Sequence, residues 1–115
     1  MTQPVEADVL DRLMSEIHRR AAVLPVGSYT TKLIQGGVPV MGAKIAEEAA
    51  EVVDAAASKP APDNQHLIYE ACDLIYHLWV LLGSRGIRVD DLRTELARRE
   101  GTSGIVEKHQ RQQHP

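Results

Sequence analysis

From Val5 to Leu24, apolar side chains recur at Val9/Leu10, Leu13, Ile17, Ala21 and Leu24. That spacing lines one face of a helix. Pro25 and Gly27 end it. Ser28 can cap a short second helix running through Gln35, which Gly36-Gly37 stops. Pro39 permits a fresh start, and a pattern rich in Ala and Val predicts a third helix from about Val40 to Ala57. Ser58 to Asn64 is a loop by composition. A fourth helix is predicted from about Asn64 to Ser84, with Leu67, Ile68, Ala71, Leu74, Ile75, Leu78, Trp79, Leu81 and Leu82 as its apolar set. That set is wider than one stripe, so the helix should be buried on more than one side. After Gly86, a fifth helix from about Val89 to Arg99 turns Leu92 and Leu96 inward and places Asp90 and Asp91 at its positive N-terminal end. No strand-like alternation of useful length occurs. The pattern predicts an all-α bundle of about five helices over residues 1–100, followed by a polar, loose tail over 101–115.

Composition narrows the function. Phe is absent, so the core must be built from Leu, Ile, Val and Ala, which suits closely packed helices. The net charge of −3 gives no nucleic-acid surface, and any phosphate site must be made locally by a metal or a few basic side chains. Cys72 is the only cysteine, so no intrachain disulfide forms, which is compatible with a reducing cytoplasm. The first residues lack the basic-then-apolar order of a signal peptide. The longest apolar run, Leu78 to Leu82, is far too short to span a bilayer. A cytoplasmic protein with no membrane or nucleic-acid partner is expected.

Acids stand in unusual places on two of the helices. The third carries Glu47, Glu48 and Glu51, then Asp54; the fourth carries Glu70 and Asp73. Residues three or four apart share a helix face, so Glu48 pairs with Glu51, Glu47 aligns with Glu51, and Glu70 pairs with Asp73. His77 continues the line of Glu70 and Asp73 through a helix that is otherwise apolar. Buried unpaired carboxylates cost several kcal/mol each, so a proton, a basic group or a cation must neutralise them. Four carboxylates from two antiparallel helices form a hard oxygen cage suited to magnesium or manganese rather than zinc. Spacing alone also allows a solvated acidic face or a salt-bridged structural pair. A di-iron carboxylate bundle would want Glu-x-x-His, and neither Glu48 nor Glu70 has His three residues on.

Several runs resemble the phosphoribosyl-ATP pyrophosphohydrolase family of histidine biosynthesis. They are Ser28-Tyr29-Thr30-Thr31-Lys32-Leu33, Gly36-Gly37, Lys44 through Val53, Glu70-Ala71-Cys72-Asp73-Leu74-Ile75-Tyr76-His77-Leu78, Arg85-Gly86-Ile87 and Asp90-Asp91-Leu92. The tail segment from Ser103 to Lys108 is also similar, and the likeness covers about Val9 to Arg111. The acid signature, here Glu48/Glu51 and Glu70/Asp73, marks the wider MazG-like all-α nucleotide pyrophosphohydrolases. The Ser-Tyr-Thr-x-Lys-Leu and Tyr-His-Leu runs narrow it to the histidine-pathway member.

The resemblance implies hydrolysis of the α–β phosphate link of phosphoribosyl-ATP, giving phosphoribosyl-AMP and pyrophosphate, with Mg²⁺ (or Mn²⁺) as cofactor and a homodimer as the assembly. No stretch resembling the fused cyclohydrolase of the next step precedes the match, so the stand-alone form is expected. Under this scheme Glu48, Glu51, Glu70 and Asp73 hold the metal. The catalytic set is Glu47, Glu48 and Glu51, with Glu47 as spare ligand or as the base orienting water. Lys32 and Lys44 are candidate phosphate contacts, against a solvated lysine and a helix salt bridge to Glu48. Ser28 and Tyr29 are candidate substrate contacts, against capping and packing roles, and Arg85 and Arg88 could reach the ribose 5′-phosphate, against a surface role. His77 reads as a satisfied core histidine, Trp79 as core or dimer interface, and Cys72 as a small buried residue. The rivals are a general (d)NTP pyrophosphohydrolase of the same superfamily and a non-enzymatic helical dimer.

Overall fold

The computed structural model describes residues 7–58, 64–101 and 104–113, without the side chains of 105–107, 110 and 113. Val5, Glu6 and the middle of the 58–64 loop lie outside these residues, but Ala7 and Asp8, expected within the first helix, are not helical, because Asp8 caps it instead. The described residues form five helices and no strand: α1 (Val9–Val23), α2 (Tyr29–Ala57), α3 (Gln65–Gly83), α4 (Val89–Arg99) and α5 (Gly104–Gln113). The all-α class is as the periodicity predicts.

Local chemistry sets each boundary. Asp8 caps α1 by accepting from the N–H groups of Leu10 and Asp11, both at 3.0 Å, while the Asp11 carboxylate accepts from the Asp8 N–H. Leu24 ends α1 in the left-handed conformation, its N–H returning to the Arg20 carbonyl. Ser28 caps α2, its hydroxyl accepting from the Thr31 N–H at 3.4 Å. Gly37, with φ 71° and ψ −169°, breaks the run, so α2 is two helices joined at a kink, with the stop at Gly36-Gly37 as expected. The break frees the backbone of the following turn, so Pro39 sits where its missing N–H costs nothing. The Asp91 carboxylate accepts from the Arg88 N–H at 2.8 Å to start α4. The segment read as a loose tail is helical over α5.

The main packing is α2 on α3; α1 lies across α3 and α2, and α4 leans on α1. The core holds Met14, Ile17, Leu33, Met41, Trp79, Val80 and Val89. Trp79 belongs to it, its indole N–H donating to the Leu10 carbonyl at 3.1 Å. Arg93 ties α4 to α1 by donating to Asp11 at 2.7 Å and to the capping Asp8 at 3.3 Å, and its guanidinium holds the Asp11 carboxyl down at about 2.

Five side chains expected inward or buried are not. Val9, Leu24, Ile68, Leu96 and Cys72 are exposed. The apolar stripes are broader than the faces that one chain's neighbouring helices cover.

The α1–α3 crossing depends on Gly83. A Cβ there would lie 2.6 Å from Ile17 Cγ2 and 3.1 Å from Met14 Sδ. Ile17 and Met14 are 1% and 2% exposed and cannot retreat. Gly83→Ala should therefore destabilise the fold by about 1–2 kcal/mol, seen as a lower midpoint in thermal unfolding. An unchanged midpoint would mean the crossing has slack.

Candidate metal and phosphate site

Tyr29 meets His77 at one end of the α2–α3 contact, and Glu51 meets Glu70 at the other, so the two helices run antiparallel. This brings together acids that are 19 or more positions apart in sequence. One carboxylate oxygen each from Glu48, Glu51 and Glu70 lies within 4.8 Å of the others. The side chains of Glu48 and Glu70 are only 11% and 12% exposed, and Glu51 stands more open between them.

Two of these acids are short of partners. Glu48 Oε2 and Glu70 Oε2 are buried and accept no hydrogen bond. Burial raises the pKa of both above the usual carboxylate range; the Glu51 carboxylate raises each further, and the Asp73 charge adds to it. His77 Nδ1, 4.0 Å from Glu48 Oε1, and His66, 4.0 Å from Glu70 Oε1, relieve these acids only when the imidazole is protonated. No Lys or Arg pairs with this trio among the described residues. Buried acids facing one another without a basic partner call for a cation or shared protons. The donors are all oxygen, which fits a hard divalent ion.

Asp73 lies one turn beyond Glu70, half-buried; its charge reaches Glu48 and Glu70, but its carboxylate is not among the three clustered oxygens. Glu47 points away, 3.5 Å from Lys44 on an open face. The lysine thus pairs with Glu47 rather than with Glu48. Lys32 is exposed and has no ion partner among the described residues. The Ser28 hydroxyl is occupied in capping α2. Arg85 follows the far end of α3, roughly 20 Å along the axis from Glu70, so it does not join the acids within one chain. Arg88 is likewise at that end, with its guanidinium 3.7 Å from Asp91.

His77 is the satisfied histidine expected. It is 8% exposed, with Nδ1 2.8 Å from the Asp73 carbonyl and Nε2 3.0 Å from the Tyr29 hydroxyl. Beside it, the Thr30 hydroxyl and Tyr76 hydroxyl are 2.6 Å apart. Spacing did not reveal these links. The only signal was the pair of runs Ser28-Tyr29-Thr30 and Tyr76-His77, whose meeting requires the antiparallel register.

The sequence model described as phosphoribosyl-ATP pyrophosphohydrolase matches residues 10–100. A phosphoribosyl-ATP pyrophosphatase of Rhodopirellula baltica is 57% identical over 102 residues, covering 89% of this chain and 85% of that protein. One from Trichlorobacter lovleyi is 47% identical over 105 residues, covering 91% and 94%. The histidine biosynthesis bifunctional protein HisIE of Wolinella succinogenes is 46% identical over 103 residues, which are 90% of this chain and 44% of that longer protein. With the match spanning all the acids of the α2–α3 site, the chain belongs to the phosphoribosyl-ATP pyrophosphohydrolase family.

Proposed function

We propose that this chain hydrolyses phosphoribosyl-ATP to phosphoribosyl-AMP and pyrophosphate, the second step of L-histidine biosynthesis, at the acid cluster between α2 and α3. The observation that carries the reading is the pair of buried, unpartnered oxygens on Glu48 and Glu70, with Glu51 between them. Glu48, Glu51 and Glu70 would hold Mg²⁺, or Mn²⁺ in its place, and Asp73 stands one turn away as the fourth carboxylate. When bound, the ion supplies Lewis-acid stabilisation of charge on phosphate oxygens. The chain's own groups do the rest. Lys32, exposed and without an ion partner among the described residues, binds phosphate. Lys44 sits at the rim and can exchange Glu47 for a phosphate oxygen, which leaves Glu47 free to orient the attacking water.

A homodimer fits the surface. The chain exposes 8625 Å², against about 6,200 Å² for a compact monomer of its mass. Its radius of gyration is 17.0 Å, where about 13 Å is usual for this length. Val38, Val40, Val53, Ile68 and Tyr69 are all at least 42% exposed on α2 and α3. A two-fold partner that covers them would also be the only source of Arg85 near the acids. No described helix is long and apolar enough to cross a membrane. A cytoplasmic site of action fits a chain whose single cysteine forms no intrachain disulfide.

The test is pyrophosphate release from phosphoribosyl-ATP and from a panel of dNTPs, with and without Mg²⁺, alongside sedimentation of the same preparation. Mg²⁺-dependent release that is fastest with phosphoribosyl-ATP, from a sedimenting dimer, is expected. Faster turnover of any dNTP would make it a general nucleotide pyrophosphohydrolase. No release from any of them would leave a helical dimer without this activity.

A further inference from the structure

Gly37 divides α2 into two parts that need not point the same way. The part after it carries Glu47, Glu48 and Glu51; the part before it carries Tyr29, Thr30 and Lys32. A bend at a glycine fixes no direction by itself, so the first part needs its own attachment to α3. Consecutive side chains supply it. Thr30 meets Tyr76 at 2.6 Å, and Tyr29 meets His77 at 3.0 Å. The Tyr29, Tyr76 and His77 rings also pack together, with centroids 5.2 to 6.4 Å apart.

The direction of the second link follows from hydrogen-bond chemistry. A carbonyl oxygen can only accept, so the Asp73 carbonyl requires the proton on His77 Nδ1. In the neutral ring that leaves Nε2 as an acceptor, and the Tyr29 hydroxyl donates to it. Tyr29 thus has no hydroxyl proton left for a phosphate oxygen. Its hydroxyl is turned toward α3 although the residue is 47% exposed. Lys32 lies one turn further on the same helical face.

We propose that His77 and Tyr29 are a positioning pair: through one hydrogen bond they set the first part of α2, and with it Lys32, against the acid-bearing face of α3. The pair binds no substrate itself. His77 suits the task because its Nδ1 is fixed by Asp73's own carbonyl, one turn back on α3, and lies 4.0 Å from Glu48 of α2, which leaves Nε2 for Tyr29. The inference rests on the site proposed above for phosphoribosyl-ATP.

Tyr29→Phe keeps the ring contacts and removes only the link. It should raise KM for phosphoribosyl-ATP, and weaken pyrophosphate binding in calorimetry, by about fivefold, the range for one neutral hydrogen bond. Asparagine at position 77 can keep an amide donor near Nδ1 but reaches no further; glutamine can offer its oxygen near Nε2. His77→Asn should therefore match Tyr29→Phe, His77→Gln should recover most of the loss, and the Tyr29→Phe/His77→Asn double variant should be no worse than either single. Nitrogen NMR of the parent should show His77 protonated at Nδ1. An Nε2-protonated ring, multiplicative losses in the double variant, or a Tyr29→Phe protein with unchanged KM and pyrophosphate affinity would each overturn the proposal. Lys32→Met separates it from the reading beneath. Unchanged KM in that variant removes Lys32 from the phosphate site, while the Tyr29/His77 coupling still decides the pair.

Discussion

Glu48→Gln and Glu70→Gln should each lower turnover of phosphoribosyl-ATP by at least about a hundredfold, yet raise the thermal midpoint of the metal-free protein. The two effects share one cause. In the metal-free fold these carboxylates are buried, face Glu51, and each has an oxygen with no hydrogen bond. Their pKa values are raised above 4.5, first by burial and then by Glu51. The folded state therefore binds protons more tightly than the unfolded chain. The stability this gives is fully present below the unfolded pKa and is lost as pH rises through the raised folded values. The metal-free parent should melt at a lower temperature at pH 8 than at pH 5, once other groups are matched by the glutamine variants. Glutamine carries no charge at either pH, so each variant should show a flatter profile. Mg²⁺ should restore the parent's midpoint by mass action and do little for the variants. Scanning fluorimetry at the two pH values, with and without Mg²⁺, reads all of this. Wild-type turnover in both variants would remove the acids from catalysis. A fall in the metal-free midpoint would make them structural partners instead.

The same self-opposed cluster explains how much of the site was legible. A run of Glu on an Ala-rich helix and a Glu-x-x-Asp within an apolar one signal cost, because the only basic groups within a turn of them are Lys44, His66 and His77, too few to neutralise them all. The identities of Glu48, Glu51 and Glu70 follow from that signal, and the structure brings them together. Their ranking does not follow. Helical spacing gives Glu47 and Glu48 equal claim to Glu51, but the α2–α3 contact turns Glu48 inward and leaves Glu47 with Lys44. Arg85 matched a family run yet lies at the other end of α3 from the acids. Spacing along one helix cannot show which end a neighbour reaches.

The fold shows a parallel limit. The Ser28 cap, Pro25 and the two periodic helices α1 and α3 could be read directly, whereas the Asp8 cap of α1 was not. Periodicity also marked Val9, Leu24, Ile68 and Leu96 as inward, and all four are exposed. An apolar stripe shows which face avoids water, whether a neighbouring helix or a second copy covers it. Composition alone read 101–115 as loose, but local propensity in a segment holding Lys108, Gln110 and Arg111 supports the helix of α5.

Gly37→Val should cost about 3 kcal/mol and lower the thermal midpoint by roughly 12 °C. Gly36-Gly37 reads in sequence as a stop followed by a new helix at Pro39. The structure places that stop at Gly37, as a kink joining two helices. At φ 71° and ψ −169°, Gly37 occupies a region closed to residues with a Cβ. The obstacle is local backbone sterics, because the nearest outside atom to an added Cβ is Pro39 Cδ at 3.7 Å. Repacking of neighbours cannot relieve it, and a β-branched side chain makes it worse. To escape, the chain must straighten, which lifts Tyr29 and Thr30 away from His77 and Tyr76. KM should rise with the fall in stability, and both should follow the bend. Gly42 provides the contrast: it lies in the same helix, has no positive φ, and an added Cβ meets nothing within 4 Å. Gly42→Ala should hold or raise the midpoint, by up to about 1 kcal/mol of helix propensity. Calorimetry of the two variants beside the parent separates a requirement for glycine geometry from a general intolerance of change in α2. If Gly37→Val melts within about two degrees of the parent, the bend does not depend on glycine, and the first part of α2 is directed by its contacts with α3 alone.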